Sequence, residues 1–288
     1  MDINLLIEKI KKSSKYQKLE ICEDTIRNLL ETEFKKYKNT NDAVKSAKKK
    51  LHEVVAIYLG DPNYQSAIQK LTSSFNSNQI DAIKTSCSQI MLEHLSTRER
   101  SHILDQFYEK IFEITGKPST ILDLACGLNP LSFPWMQLSN STNYYAYDIH
   151  QTRINFINDY FSLQELKSLA RVQDILIDFP CETGDVAFIF KEVHRFENRK
   201  RGCTLALLDA LSVHYIVISL PPKNKSGRGD LKERHRNLLY TIIKERPWQV
   251  VEIEFENEIV FCLDKCVSDY FDKAWRIPLK LAKPPERG

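Results

Sequence analysis

Apolar residues recur every three or four positions through about the first 115 residues, and then gather into short continuous runs. The early pattern predicts successive helices over NLLIEKIKK, EDTIRNLLETEFKKY, NDAVKSAKKKLHEVVAIYL, NYQSAIQKLTSSF, NSNQIDAIKTSCSQIMLEHL and STRERSHILDQFYEKIFEIT. In the third, Ala43, Ala47, Leu51, Val54 and Tyr58 share one face and leave Lys45, Lys48 and Lys49 on the wet side. The sixth opens with Ser96 and Glu99 at the spacing of a capping box, whose two side chains satisfy amides of the first turn. Gly116 and Pro118 then punctuate the chain.

Beyond them ILDLA, YYAYDI, LARVQDIL, VAFIF and YIVISLP read as strands, with helices around residues 131–138, from Thr152, and over TLALLDALS. Near-continuously apolar strands that alternate with helices imply a parallel sheet covered on both faces. A basic helix near 230–245 precedes QVVEIEF and IVFCLDK, which only Glu256-Asn257-Glu258 separates. Strands that close must pair antiparallel, because a parallel pair needs a long crossover. The expected division is a helical domain at 1–105, a sheet domain at 106–265 and an unassigned tail at 266–288.

Composition fits one large or two modest folded domains: 288 residues, 42% hydrophobic and 27% charged. No apolar stretch approaches the roughly 20 residues of a membrane helix, and MDINLLIEKIKKSSKY is amphipathic, with no signal-peptide core. A cytoplasmic protein without membrane contacts is expected, acting as a monomer. The seven cysteines (22, 87, 126, 181, 203, 262, 266) form no CxxC, and Cys262 and Cys266 lack a following zinc-spaced His, so reduced thiols and no metal are expected. The net charge of +3 excludes little, but its distribution is uneven. Residues 1–50 carry 13 Lys/Arg against 8 Asp/Glu, including Lys48, Lys49 and Lys50, and residues 223–246 carry 8 against 3. Either patch alone reads as a solvated helix face; two of them suit a polyanion such as RNA.

In a doubly wound sheet, ligands bind beyond the carboxyl ends of the strands. The first such end is Asp123-Leu-Ala-Cys-Gly127, where glycine admits close approach of the backbone. No GxGxxG follows, because Leu128, Asn129 and Pro130 stand where its later glycines would be, which disfavours a dinucleotide. Asp148 ends YYAYDI, where an acid can accept from both hydroxyls of a ribose. Asp174 closes RVQD, where a carboxylate can accept from an exocyclic amine such as adenine's. A nucleoside cofactor without a diphosphate fits, S-adenosylmethionine above all, and Ala125, Ile149 and Ile175 adjoin these residues in the cofactor site. The fold expected is therefore α/β: a Rossmann-like class I methyltransferase, mostly parallel with a C-terminal antiparallel hairpin, plus an N-terminal all-helical domain.

There is no GxSxG, Walker A loop or HExxH; His52 lacks the second histidine, and His94, His102 and His194 read as packing or surface residues. Phe107, Tyr108 and Phe112 read as core. After the strand YIVISLP, two prolines and the basic segment Lys223-Asn-Lys225-Ser-Gly-Arg228-Gly leave the same face as the acids, where a substrate meets the cofactor. Ser219, Pro221, Lys225 and Arg228 are thus candidates for the substrate side, and Lys48, Lys49, Lys50, Lys223, Lys225 and Arg228 candidates for meeting the phosphates of RNA. An amino-group methyltransferase would want (Asn/Asp)-Pro-Pro-(Tyr/Phe), and Ser219-Leu220-Pro221-Pro222 lacks both the amide and the aromatic. A small-molecule methyltransferase, a methyltransferase of another rRNA nucleotide and an inactive RNA-binding assembly factor of the same fold stay open at this point.

KKLHEV, STRERSHILDQFY, ILDLACGLNPL, YYAYDI, the QDIL…GDVAFIFK stretch and SLP followed by SGRG together resemble the aminoglycoside-resistance 16S rRNA (guanine(1405)-N(7))-methyltransferases, over most of the chain. The resemblance implies S-adenosylmethionine as cofactor and the 30S subunit, through 16S rRNA, as partner. It implies Gly127 as the cofactor-loop glycine, Asp148 as the ribose acid, Asp174 as the adenine-side acid and Arg100 as a neighbour of the cofactor carboxylate. It also implies an N-terminal domain that docks on rRNA. Lys191 matches a family lysine without supplying a role. The chain departs from the family at Gly229-Asp230-Leu231, where members commonly continue GRxKGM, and at Glu192-Val193-His194-Arg195, where they read LLP or similar.

Overall fold

The computed structural model describes residues 2–13, 16–17, 20–55, 61–222 and 231–266. Seven strands form its sheet: β1 (Thr120–Leu124), β2 (Asn143–Asp148), β3 (Ala170–Val172), β4 (Thr183–Phe190), β5 (Ser212–Leu220), β6 (Gln249–Glu254) and β7 (Ile259–Asp264). Their spatial order is β3-β2-β1-β4-β5-β7-β6. β1 to β5 pair parallel, and β7 runs antiparallel between β5 and β6. The predicted Rossmann-like order with its terminal hairpin is thus the observed one. The order reverses beside β1, between β2 and β4, which opens a crevice at the carboxyl ends of those strands.

Successive strand residues face opposite ways, so each strand feeds two cores. Tyr144, Phe188 and Val217 face helices α4 (Tyr64–Asn76), α5 (Ile80–Met91), α7 (Leu104–Thr115) and α9 (Gln151–Leu163), burying Leu71, Ile90, Phe107 and Ile157. Leu122, Ile189, Ile216 and Phe261 face α10 (Val193–Arg199), α11 (Cys203–Ala210) and α12 (Lys232–Ile243), burying Phe196, Leu207 and Leu239. Helices α1 (Ile3–Lys11), α2 (Glu23–Phe34) and α3 (Thr40–Val55) keep a core of their own around Ile7, Ile10, Ile26, Leu30, Ala47 and Leu51. The break between cores therefore falls between Val55 and Asp61, not at 105, because α4 and α5 belong to the core under the sheet. The first core is pinned to the crevice: Cys22 N donates to Ile149 O (2.7 Å) and Gln151 N to Glu20 O (3.1 Å), around an Ile21–His150 bridge.

Two local expectations change. The helix expected from Ser96 is broken into α6 (Leu95–Arg98) and α7, with the turn at 99–103 between them. No capping box forms: His94 stands at the N-cap, Ser96 Oγ hydrogen-bonds His94 Nδ1 (2.9 Å), and Glu99 pairs with Lys191 (2.6 Å). The turn delivers Arg100 into the interior, which a continuous helix would not. α10 has no counterpart among the predicted helices, because seven residues rich in charge carry little apolar period. Residues 129–132 make a 3₁₀ turn that enters α8 (Phe133–Met136). Among the described residues no helix is long and apolar enough to cross a membrane, and no group of three or more His, Cys, Asp or Glu side chains could hold a metal ion. The seven cysteines are free thiols.

Candidate functional site

The loop leaving β1 takes a conformation its residues rarely adopt. Ala125 and Gly127 both sit at positive φ, 52° and 54°. A Cβ at Gly127 would lie 3.0 Å from His94 Cε1, so only glycine suits both the dihedral and the space. The turn is held by Cys126 N donating to Tyr147 O (2.9 Å) and Asn129 N to Cys126 O (2.9 Å). Gly127 N then points at Asp148 Oδ2 (3.1 Å), joining the ends of β1 and β2.

A cavity of about 260 Å³ opens there, lined by Ala125, Asp148, Ile149, Asp174 and Ile175, with Glu192, Phe196 and Arg199 from the strand-β4 side. Five of the expected cofactor residues thus share one wall. The α1–α3 unit closes the other side through Lys50, Glu53 and Val54 of α3. A narrow cleft continues from the cavity past Ala125 and Glu192, and its lining includes His94, Thr97, Arg100, Gly127 and Asn129. The larger space suits a nucleoside.

Asp148 is buried, yet its carboxyl is held below the usual range: burial pushes it up, and Arg153 (2.8 Å), His150 and the Gly127 amide more than offset that. Asp174 accepts from Arg199 Nη1 (2.9 Å) and from Thr25 Oγ1 of α2 (2.7 Å), and Arg199 Nη2 lies in ion-pair contact with it (2.7 Å). A residue of the first core therefore supports the far acid across 149 positions of sequence. Thr25→Val keeps the volume and removes that bond; the protein is expected to lose about 1–2 kcal/mol, read by urea unfolding.

Asp123 lines neither space, contrary to expectation. Its carboxyl accepts from Asn129 Nδ2 (2.9 Å) and Tyr144 OH (2.8 Å), and burial pushes it up to about 7. It braces the loop from behind the sheet. Asn129 passes the brace on: its Oδ1 accepts from Arg100 Nη1 (2.7 Å) and Tyr108 OH (2.8 Å). Arg100 itself is 2% exposed, stacked between Phe107 and Phe190 and paired with Glu258 through Nε (3.0 Å) and Nη2 (3.0 Å). Lys191, at positive φ, completes the group by reaching Glu258 (3.0 Å). That contact supplies the role the sequence left blank. Glu258 gave no sequence signal, since nothing local distinguishes it from the other acids of the hairpin turn.

The expected substrate-side residues are more scattered. Ser219 is fully buried and lines neither space; its carbonyl accepts from Lys191 N (2.8 Å), and Pro221 O accepts from His235 Nδ1 (2.8 Å). Lys223, Lys225 and Arg228 lie outside the described residues. Lys48 and Lys49 are exposed on α3 as expected, but Lys50 turns inward to Glu33 (2.8 Å) and the cavity wall. The buried Glu33 carboxylate, drawn down to about 2, provides the pull: burial opposes its charge, and Lys50, Ser46 and Lys36 outweigh that.

Residues 12–262 match the protein family described as ribosomal RNA methyltransferase (FmrO). The chain belongs to this family. Among curated members, the 16S rRNA (guanine(1405)-N(7))-methyltransferase of Micromonospora echinospora is 31% identical over 267 residues, 91% of this chain and 97% of its own length. Its namesake from Serratia marcescens is 31% identical over 229 residues, 80% of this chain and 84% of its own. The solved structure of the 16S rRNA methylase RmtB is 25% identical, with a TM-score of 0.73, and covers 92% of this chain and 99% of its own. The family match runs through the β1 loop, both cavity acids and the Arg100–Glu258 pair, so the site described above lies within the shared fold.

Proposed function

We propose that the chain methylates 16S rRNA of the 30S subunit at N7 of a guanine in the decoding site, from S-adenosylmethionine, and so confers aminoglycoside resistance. The guanine is the one that the relatives' names number 1405. The observation that carries the reading is the cavity bounded by Asp148 and Asp174 at the reversal of strand order, with a cleft leading from it to Arg100. The residues present fit the cofactor. A buried, ionised Asp148 suits ribose hydroxyls, Asp174 an exocyclic amine, and Ile149 and Ile175 the flat faces of a base.

When bound, S-adenosylmethionine supplies a methyl group on a positively charged sulfur. Guanine N7 carries no proton, so the transfer needs no general base. What the residues supply is placement, holding the reacting atoms in line within about 3–3.5 Å. The base has to leave its stack to reach the crevice. The α1–α3 unit, with Lys48 and Lys49 exposed, is the part we assign to docking on rRNA, in the cytoplasm where ribosomes are. Ser219, Pro221 and the basic segment at Lys223, Lys225 and Arg228 are assigned to the target-base side.

Purified 30S subunits and naked 16S rRNA, incubated with methyl-labelled S-adenosylmethionine and then mapped, test the reading. Label at the guanine N7 of 30S subunits is expected, together with raised aminoglycoside tolerance of cells that express the chain. Label elsewhere overturns the target. No label, together with no binding of S-adenosylhomocysteine, would make the chain a scaffold. Unchanged methylation by a Lys225→Ala/Arg228→Ala variant would remove that segment from the base pocket.

A further inference from the structure

A fully buried arginine beside the cavity escaped every sequence signal. Arg153 lies on α9, five residues past Asp148, and its three guanidinium nitrogens point to three partners. Nη1 donates to Asp148 Oδ2 (2.8 Å), Nη2 to Asp61 Oδ2 (2.6 Å) and Nε to Tyr64 OH (3.2 Å). Tyr64 OH also donates to Asp61 Oδ2 (2.6 Å), which closes the group. Asp61 and Tyr64 stand at the entry to α4, just past the break between the two cores.

We propose that Arg153 is a positioning residue for nucleoside binding, acting through Asp148, with one guanidinium shared between the cavity acid and Asp61. The proposal rests on the reading of this cavity as the seat of S-adenosylmethionine. Three donors already fix the carboxylate's attitude: Gly127 N and Arg153 Nη1 on Oδ2, and His150 N (3.1 Å) on Oδ1. A carboxylate buried this deeply takes up a proton unless a cation opposes it. The titratable and charged groups around Asp148 come from every neighbouring element. They are Arg153 on α9, His150 at its start, Asp123 of β1, Cys126 of its loop, His94 ahead of α6, Asp61 ahead of α4 and Glu192 ahead of α10. Asp123, Asp61 and Glu192 are acids, and burial keeps His94 neutral at ordinary pH. His150 also draws the Asp148 carboxyl down, and among the arginines and lysines of the described residues Arg153 makes the ion pair with it (2.8 Å). Arg153 also bridges the buried Asp148 to the partly buried Asp61.

Calorimetric titration of the full chain with S-adenosylhomocysteine, across pH 5.5 to 9, tests this on wild type, Arg153→Gln, Arg153→Lys, Asp148→Asn and the Asp148→Asn/Arg153→Gln pair. Arg153→Gln is expected to weaken binding on the order of tenfold at pH 7 and to recover as pH rises, because a carboxylate without its cation ionises only at higher pH. Arg153→Lys is expected to restore most of the affinity. The double variant is expected to bind no more weakly than Asp148→Asn alone, since residues acting as one unit do not add. Should Arg153→Gln fail to fold, the charge-balanced Asp61→Asn/Arg153→Gln chain carries the same pH comparison. A loss equal at every pH, or one that adds to Asp148→Asn, would make Arg153 merely structural and overturn the proposal. A wild type that does not bind the ligand at all would overturn the cofactor reading itself, and this proposal with it.

Discussion

Glu258→Gln is expected to destabilise the protein by about 3–5 kcal/mol, the cost of breaking a buried ion pair from one side. Glutamine keeps the shape and removes the charge, so Arg100 and Lys191 are left in the interior without their common counter-ion. Arg100 retains the side-chain oxygen of Asn129, and Lys191 retains the partly exposed Glu99. Neither replaces a carboxylate that is 0% exposed. At 2–4 °C per kcal/mol for a domain of this size, the melting temperature should fall by roughly 10 °C. The pH dependence has a definite sign. Burial pushes the Glu258 carboxyl up, but Arg100 and Lys191 prevail and hold it below its ordinary value. Its contribution is then present above the unfolded carboxylate's pKa of about 4.3 and disappears as pH falls through the lower folded value. The melting difference between wild type and Glu258→Gln should therefore be constant from pH 8 to 5 and shrink in more acidic buffer. A variant that melts with wild type at pH 7 would show the pair to be energetically neutral.

Gly127→Ala is expected to weaken S-adenosylhomocysteine binding on the order of tenfold to a hundredfold while lowering stability much less than Glu258→Gln does. A methyl group at φ 54° is strained, and it lands 3.0 Å from the His94 ring. His94 has little room to yield, being 1% exposed and tied to Ser96 Oγ. The loop must give instead, and the first bond to lengthen is Gly127 N to Asp148, which sets the acid in the cavity. Strain of about 1–3 kcal/mol is thereby concentrated on the ligand side of the fold. Paired calorimetry and thermal melts would detect it. Unaltered affinity would mean that the loop is softer than its contacts imply.

What the chain reveals on its own is whatever depends on neighbours in sequence. The period of apolar residues marks helices, alternation with apolar runs marks a covered parallel sheet, and the three residues between β6 and β7 dictate an antiparallel pair. A glycine after β1 and acids after β2 and β3 lie at chain positions that the fold class itself sends to one crevice, so the arrival of Gly127, Asp148 and Asp174 there is legible in the sequence. Asp123 was misplaced because strand residues alternate faces: it belongs to the side of the sheet that holds Tyr144. The helix expected from Ser96 broke because its arginine serves a partner 158 residues away.

Tertiary structure alone decided which charges meet. Arg153 with Asp61, and Arg100 and Lys191 with Glu258, pair across distances at which a sequence of 41 Lys/Arg and 38 Asp/Glu shows no preference, and the Thr25 hydroxyl reaches the Asp174 carboxylate in the same way. The boundary between cores is likewise a packing result, since the amphipathic stripes of α4 and α5 fit a sheet as readily as a bundle. Local pattern determines the elements and where a site opens, because backbone geometry repeats over a few residues. The partners that hold the site's charges in the interior depend on desolvation and distance, which exist only once the chain has closed on itself.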